Sequence, residues 1–122
     1  VTYRVYDYDR LQNGKPRELH IQQSIDCIEA PHKDYEGERV IKKYPEMVSE
    51  TLVSCPFYTL EKWNLDGTFE YNMEKPFVNV SVIDGEGMVD DIELKKGDHF
   101  IIPSTMDECI FRGKMTVMVS YC

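Results

Sequence analysis

The side chains that could bind a metal ion or act as nucleophiles are scattered along this sequence. The histidines are His20, His32 and His99, and the cysteines are Cys27, Cys55, Cys109 and Cys122. No His-x-His or C-x-x-C pair occurs among them. Because zinc in proteins is held by three or four convergent ligands, this spacing predicts neither a metal site nor a redox dithiol, and the thiols are expected to be reduced.

One arginine near the start of the chain, Arg4, has the chemistry of an anion-binding group. A guanidinium stays charged and donates hydrogen bonds in a fixed geometry, which suits a phosphate or a developing oxyanion. The surrounding segment, Val1–Arg10, mixes β-branched and aromatic residues with interleaved charges and is predicted to be a strand. From the residues alone, pairing of Arg4 with Asp7 or Asp9 is favoured over a role in catalysis.

Only one helix is predicted, over Glu18–Ile28, after a turn signal at 13–16. Ile21, Ile25 and Ile28 recur at helical spacing, so one face of this short helix is apolar. The polar connection that follows is predicted to hold a single short strand.

From Thr51 to the end the sequence is a succession of short β-type segments. Apolar and polar residues alternate most clearly in Phe69–Met73, Pro76–Val82 and Met115–Tyr121. Turns are predicted at four glycine-containing positions: Asp66-Gly67, Asp84–Gly87, Lys95–Asp98 and Arg112-Gly113. Short strands separated by turns at this spacing indicate an all-β sandwich or barrel.

The composition limits the partners that the chain can have. Its 122 residues, 42% of them hydrophobic, are enough for one domain with its own core. The net charge of −8, with no stripe of Lys and Arg, argues against binding to nucleic acid. No apolar run approaches the roughly 20 residues of a membrane-spanning helix, so no membrane partner is expected.

Two parts of the sequence resemble known families. Gly85-Glu86-Gly87, Leu94–Asp98 and Ile101–Pro103 resemble the second half of a cupin barrel. This resemblance implies a cupin-type double-stranded β-helix, or jelly roll, with one short helix near the N-terminus. Tyr3–Arg10 followed by Gly14–His20 resembles a stretch of the type I mannose-6-phosphate isomerases of Firmicute-like bacteria, where it leads through a short helix into a C-terminal cupin barrel.

The resemblance implies an organisation in two parts. Residues 1–30 would form a strand and helix that link to an N-terminal catalytic barrel missing from this chain, and residues 31–122 the C-terminal cupin-like barrel. The chain opens without Met inside an apparent strand, which is likewise expected of a piece of a larger protein. Such a piece is expected to expose an apolar patch and to self-associate.

The resemblance also implies a reaction, the aldose–ketose isomerisation of mannose 6-phosphate and fructose 6-phosphate. The full-length family binds hexose phosphate and uses Zn held by its N-terminal barrel, so this piece is expected to carry no cofactor and to be inactive alone. Arg4 matches the family's substrate-facing arginine and is the one expected catalytic residue. A cytoplasmic location is expected. The alternatives are a metal-free cupin that binds sugar, a regulatory module or a purely structural support.

Overall fold

The computed structural model of the chain describes residues 2–34 and 37–122. The backbone divides into two compact units, Val1–Tyr35 and Glu36–Cys122. No helix in the described ranges has the length and apolarity needed to cross a bilayer.

The first unit contains a very short hairpin and one helix. Strand β1 (Leu11–Gln12) pairs antiparallel with β2 (Lys15–Pro16), and helix α1 spans Ile21–Cys27. The φ angles of Asn13 and Gly14, 54° and 74°, are those of a type I′ hairpin turn. The predicted turn and helix are therefore confirmed, although the helix is shorter at both ends than the predicted range Glu18–Ile28.

The strand predicted over Val1–Arg10 is wrong for residues 2–10, and Val1 lies outside the described residues. Tyr8 and Asp9 have φ angles of 51° and 56°, in the left-handed region, which an extended strand does not use. The N–H of Arg10 donates to the carbonyl of Asp7 at 3.0 Å and closes a turn. The backbone therefore folds back on itself here, and its side chains do not alternate between two faces.

The second unit is an antiparallel sheet of seven strands. They are β3 (Ile41–Tyr44), β4 (Met47–Ser54), β5 (Thr59–Asn72), β6 (Phe77–Val89), β7 (Ile92–Lys95), β8 (His99–Pro103) and β9 (Glu108–Tyr121). Their order is β3-β4-β5-β9-β6-β7, with β8 pairing with the first part of β6 and β7 with its last part. The prediction of an all-β fold with one short helix near the N-terminus is confirmed.

Three of the predicted turns are wrong, because the strands continue through them. They are Asp66-Gly67 inside β5, Asp84–Gly87 inside β6 and Arg112-Gly113 inside β9. In the ladder, Gly67 is opposite Gly113, and Gly113 is opposite Gly87 on its other side. The turn predicted at Lys95–Asp98 does separate β7 from β8.

Two glycines of this row, Gly87 and Gly113, are required by the close approach of neighbouring strands. A Cβ atom on Gly113 would lie 2.7 Å from the Cα of Gly87 and 2.9 Å from the carbonyl oxygen of Glu86. The φ of Gly113, +114°, is also one that L side chains rarely adopt. Glycine inside a strand often marks a bend or a close backbone approach, and here it lets three long strands bend at the same level.

The core lies inside the bent sheet and is built mainly from β6 and β9. Its most deeply buried side chains are Val78, Val80, Val82, Cys109, Phe111, Val117 and Val119. They follow the period of two that puts alternate residues of a strand on one face. The inward face of β5 adds Trp63 and Leu65 to this core and also carries the polar and aromatic groups described below.

Candidate functional site

The first candidate site is a charged cluster in the first unit, formed by Arg4, Asp7 and Arg17. The carboxylate of Asp7 accepts a hydrogen bond from Nε of Arg17 at 2.6 Å and another from its Nη2. Nε of Arg4 lies 3.6 Å from the same carboxylate. Nη1 of Arg4 donates to the backbone carbonyl of Glu18 at 2.9 Å. Asp7 therefore lies between two guanidinium groups and helps to orient both.

The electrostatics of this cluster keep it charged at neutral pH. The hydrogen bond from Arg17 lowers the pKa of Asp7 below its usual value, and the positive charges of Arg17 and Arg4 lower it further, while desolvation opposes them. The same hydrogen bond raises the pKa of Arg17. Pairing of Arg4 with Asp7, favoured from the residues alone, is therefore present. It leaves Nη2 of Arg4 without a protein partner in the described part of the chain.

His20 fixes the backbone of Arg4. The N–H of Arg4 donates to Nδ1 of His20 at 3.1 Å, and the N–H of His20 donates to the carbonyl of Arg4 at 2.7 Å. The imidazole also lies against the ring of Tyr3, with ring centroids 5.9 Å apart. Since His20 immediately precedes α1, the start of the helix and the position of Arg4 are tied together.

The second candidate site lies in the second unit, around a buried carboxylate. Glu61 on β5 is only 9% exposed. Its Oε2 accepts hydrogen bonds from Nε1 of Trp63 at 2.7 Å and from the hydroxyl of Ser49 at 3.3 Å. Its Oε1 accepts one from the hydroxyl of Tyr121 at 3.0 Å. The three donors come from β4, β5 and β9, so three strands hold the carboxylate in one orientation.

Aromatic rings surround this carboxylate because β5 bends at Gly67. The bend brings Tyr71 and Phe69 back onto Trp63, with ring centroids 5.1 and 5.8 Å apart, and Tyr44 lies 5.4 Å from Phe69. These groups line a cavity of about 370 Å³, within the size range of small-ligand pockets. The charged side chains at this cavity, besides Glu61, are Lys42, Glu70 and Glu74.

Two phenols at the Glu61 cavity, those of Tyr121 and Tyr71, stay protonated at neutral pH. Burial raises the pKa of Tyr121 to about 12, and the neighbouring charge of Glu61 adds to the effect. The same two causes raise the pKa of Tyr71. Tyr121 therefore remains a hydrogen-bond donor to Glu61 throughout the physiological pH range.

The histidines do not assemble a metal site in the residues that the structure describes. Nδ1 of His99 lies 2.8 Å from the hydroxyl of Ser81, and Nε2 of His32 lies 3.7 Å from Asp34. No group of three or more His, Cys, Asp or Glu side chains converges within 2–34 and 37–122. These residues therefore do not fit the zinc ion that the resemblance associates with the full-length family.

Glu61 was not identified from the sequence, although a local signal was present. On a strand, Glu61 shares its face with Trp63 and Leu65, and an acid between inward-facing apolar positions indicates a buried carboxylate. Its other two donors, Ser49 and Tyr121, lie far from it along the chain. Only the three-dimensional structure shows that they meet at one carboxylate.

The bent antiparallel barrel with a cavity inside it defines the class of protein, a cupin. An RmlC-like cupin from Desulfovibrio desulfuricans matches with a TM-score of 0.53 at 16% identity, over 73% of this chain and 94% of that chain. Ectoine synthase from P. lautus matches with a TM-score of 0.58 at 13% identity, over 66% of this chain and 67% of that chain. Likeness at such low identity concerns the fold alone.

Within this class, the chain belongs to the family described as "Mannose-6-phosphate isomerase, cupin domain". The model of this family matches residues 48–122. Mannose-6-phosphate isomerase ManA of Bacillus subtilis is 38% identical over 126 residues, and the Streptococcus mutans enzyme is 35% identical. Both matches cover 99% of this chain and 40% of the relative. The crystal structure of the Bacillus subtilis isomerase matches with a TM-score of 0.80 at 37% identity, over 98% of this chain and 40% of that chain. The chain thus spans 40% of the length of these curated relatives.

Proposed function

We propose that this chain is the C-terminal part of a mannose-6-phosphate isomerase, an enzyme that interconverts mannose 6-phosphate and fructose 6-phosphate. The observation that carries the proposal is the match of 99% of the chain to ManA at 38% identity. Since the chain spans 40% of ManA, the proposal assigns an N-terminal catalytic barrel to a part of the enzyme outside this sequence. Zinc, which supplies electrostatic stabilisation when bound, belongs to that barrel in the proposal.

Arg4 is the residue that this proposal assigns to the substrate. The isomerisation moves a proton between C1 and C2, and negative charge develops on a sugar oxygen as it does so. The contacts of Arg4 with Asp7 and with the carbonyl of Glu18 support the assignment, because they fix the guanidinium before any ligand arrives. Its Nη2, which has no protein partner in the described residues, would donate to a substrate oxygen in a set direction.

The reaction also needs a base, and the proposal leaves that group to the remainder of the enzyme. The isolated chain is therefore expected to have no isomerase activity. Turnover of mannose 6-phosphate by the purified chain, with or without added zinc, would contradict this part of the proposal.

The sharpest test is a chimera in which this chain replaces the matching region of Bacillus subtilis ManA. The chimera is expected to isomerise mannose 6-phosphate. In it, Arg4→Ala is expected to lower kcat by about 100-fold or more, the effect of losing one oxyanion donor, without lowering the melting temperature or the zinc content. A folded, zinc-loaded chimera that is inactive would overturn the assignment of the chain to this enzyme.

The matched control is Arg10→Ala, in the same segment. Arg10 is exposed, and its guanidinium lies over the ring of Tyr8, 5.6 Å from the ring centroid. This variant is expected to keep the kcat of the unsubstituted chimera. Equal kcat values for Arg4→Ala and Arg10→Ala would reduce the segment around Arg4 to a structural role.

A further inference from the structure

Glu61 is a buried carboxylate that has no counter-charge in contact with it among the described residues. Its three hydrogen-bond donors, Trp63, Ser49 and Tyr121, are all neutral. Among the described residues, no nitrogen of a Lys, Arg or His lies within 4.0 Å of it. Buried charges in proteins are ordinarily paired, and a carboxylate with two oxygens accepts up to about four hydrogen bonds. One acceptor position therefore remains for a donor from a ligand.

The charges around the Glu61 cavity oppose an anion and favour a cation. The lining carries the carboxylates of Glu61, Glu70 and Glu74 against the ammonium of Lys42, and a second ammonium, that of Lys75, lies over the ring of Tyr121. The 122-residue chain as a whole carries a net charge of −8. A phosphorylated sugar would meet like charges on entering such a cavity, whereas a cation would enter along a favourable field.

The walls of the cavity are aromatic, and such walls favour organic ammonium ions over inorganic cations. Phe69 and Tyr71 are partly exposed and contact the buried indole of Trp63, and the exposed Tyr44 contacts Phe69. Aromatic faces attract ammonium groups, most strongly where the site is partly desolvated. One ring of the lining already has such a contact, because Nζ of Lys75 lies 4.7 Å from the ring centroid of Tyr121. An inorganic ion is strongly hydrated and has no apolar surface to pack on these rings, whereas an organic ammonium ion would contact both the rings and the carboxylate.

We propose that the Glu61 cavity is a binding site for a small organic ammonium cation, with Glu61 as its counter-ion and the rings of Tyr44, Phe69 and Tyr71 as its walls. This site shares no residue with the Arg4 cluster. It does not depend on the isomerase proposal, since it uses only residues of the second unit. The cation is a ligand in this proposal and undergoes no reaction.

The test compares choline with 3,3-dimethyl-1-butanol, its uncharged carbon analogue of nearly the same shape. The chain has a single tryptophan, and that residue, Trp63, donates to Glu61, so its fluorescence reports on the cavity directly. Choline is expected to give a saturable change in this fluorescence and in titration calorimetry. Its Kd is expected to be about tenfold lower than that of the analogue, the size of a partly desolvated cation–π and charge interaction.

Variants at the Glu61 cavity separate the effect of charge on binding from an effect on folding. Glu61→Gln removes the counter-ion and is expected to weaken choline binding by about tenfold or more, but it also disturbs the three hydrogen bonds of this carboxylate. The double variant Glu70→Gln/Glu74→Gln changes only exposed positions of the lining. It is expected to weaken choline binding by about threefold, because two negative charges that attract the cation are removed. Glu93→Gln, exposed on β7 and absent from the lining, is the control and is expected to bind choline like the unsubstituted chain.

Three results would overturn the proposal. One is the absence of any choline response at about 50 mM, a concentration that would detect even a weak millimolar site. Another is equal binding of the uncharged analogue, which would make the cavity simply apolar. The third is tighter binding of mannose or mannose 6-phosphate than of choline, which would make it a carbohydrate site.

Discussion

The rings of Trp63 and Tyr71 are in contact, with centroids 5.1 Å apart, although both belong to strand β5. In a straight strand, which rises about 3.3 Å per residue, the two positions would be separated by roughly 25 Å. Gly67 lies midway between them, and the strand remains paired with β9 on both sides of it. The contact therefore shows that β5 bends sharply without being interrupted. This bend places the aromatic rings beside Glu61.

The glycine row at this bend gives a prediction for stability. Gly113→Ala is expected to lower the free energy of unfolding by more than about 3 kcal/mol, because the new methyl group would lie 2.7 Å from the Cα of Gly87 and the φ of +114° would be strained. The measurement is urea unfolding at neutral pH. Gly97→Ala is the control, since its φ of +94° is also positive but nothing lies within 4 Å of the added Cβ; it is expected to cost only about 1–2 kcal/mol. Equal losses in the two variants would show that crowding at the bend is unimportant.

The hydrogen bond from Tyr121 to Glu61 predicts how stability changes in alkali. Tyr121→Phe is expected to cost about 1 kcal/mol at neutral pH, because Oε1 of the buried Glu61 loses its donor. The pKa of Tyr121 rises from 10.0 to about 12 on folding. A raised pKa means that the folded state holds the proton more tightly, so this stabilisation is complete below pH 10 and is lost as the pH rises to about 12. The difference in the free energy of unfolding between the unsubstituted protein and Tyr121→Phe should therefore shrink as the pH rises from 10 to about 12.

The check is urea unfolding of both proteins at several pH values between 8 and 12. Burial also raises the pKa of the Cys109 thiol to about 11, so both proteins are expected to lose stability together from about pH 9 upward for that separate reason. A stability difference that stays constant to pH 12 would contradict the role given to the Tyr121 proton.

The pair formed by Asp7 and Arg17 gives a prediction in acid. Because the pKa of Asp7 is lowered in the folded protein, its contribution to stability is present above the usual carboxyl value near 3.8 and is lost as the pH falls through the lower folded value. NMR titration should show Asp7 titrating below the usual aspartate value of 3.8. Arg17→Gln removes the hydrogen bond and should raise the pKa of Asp7 toward its usual value. An unchanged titration in this variant would show that the pair is not formed in solution.

The parts of the fold that could be predicted from the sequence are those whose signal lies in neighbouring residues. The strand containing Val78, Val80 and Val82 was predicted correctly, because a period of two needs only neighbouring residues. Gly67 was wrongly assigned to a turn, since glycine serves turns and bends equally well. Only the partner strand, with Gly113 directly opposite, distinguishes the two uses, and strand pairing is not contained in the local sequence.

The candidate sites likewise contain residues with a local sequence signal and residues that only the folded chain brings together. Arg4 stays a predicted site residue, chosen because its motif resembles a family. The strand expected around it was wrong, since consecutive left-handed residues at Tyr8 and Asp9 turn the chain there. Its partner Asp7 was among the acids considered, whereas the second pairing of Asp7, with Arg17, depends on that turn. Glu61 was missed because two of its three donors are remote in sequence.

The apolar face of helix α1 leads to a prediction about association. Ile25 and Ile28 are 57% and 66% exposed, and Ile21 is also exposed, so the stripe that defines this helix is open to solvent. Exposed apolar patches of this kind commonly mark interaction surfaces. The isolated chain is expected to form dimers or larger species at about 100 μM, the range in which a small apolar interface becomes occupied. Sedimentation equilibrium at several concentrations measures this directly.

Substitution within the helix identifies the surface responsible. Ile25→Lys is expected to shift the chain toward monomer without lowering its melting temperature, because the side chain it removes is already exposed. Gln23→Lys adds the same charge at another exposed position of the helix and should leave association unchanged. If both variants weaken association equally, charge rather than the isoleucine stripe is responsible, and a chain that stays monomeric throughout would refute the association itself. In the chimera with ManA, the same Ile25→Lys change should instead lower stability if the rest of the enzyme covers this face.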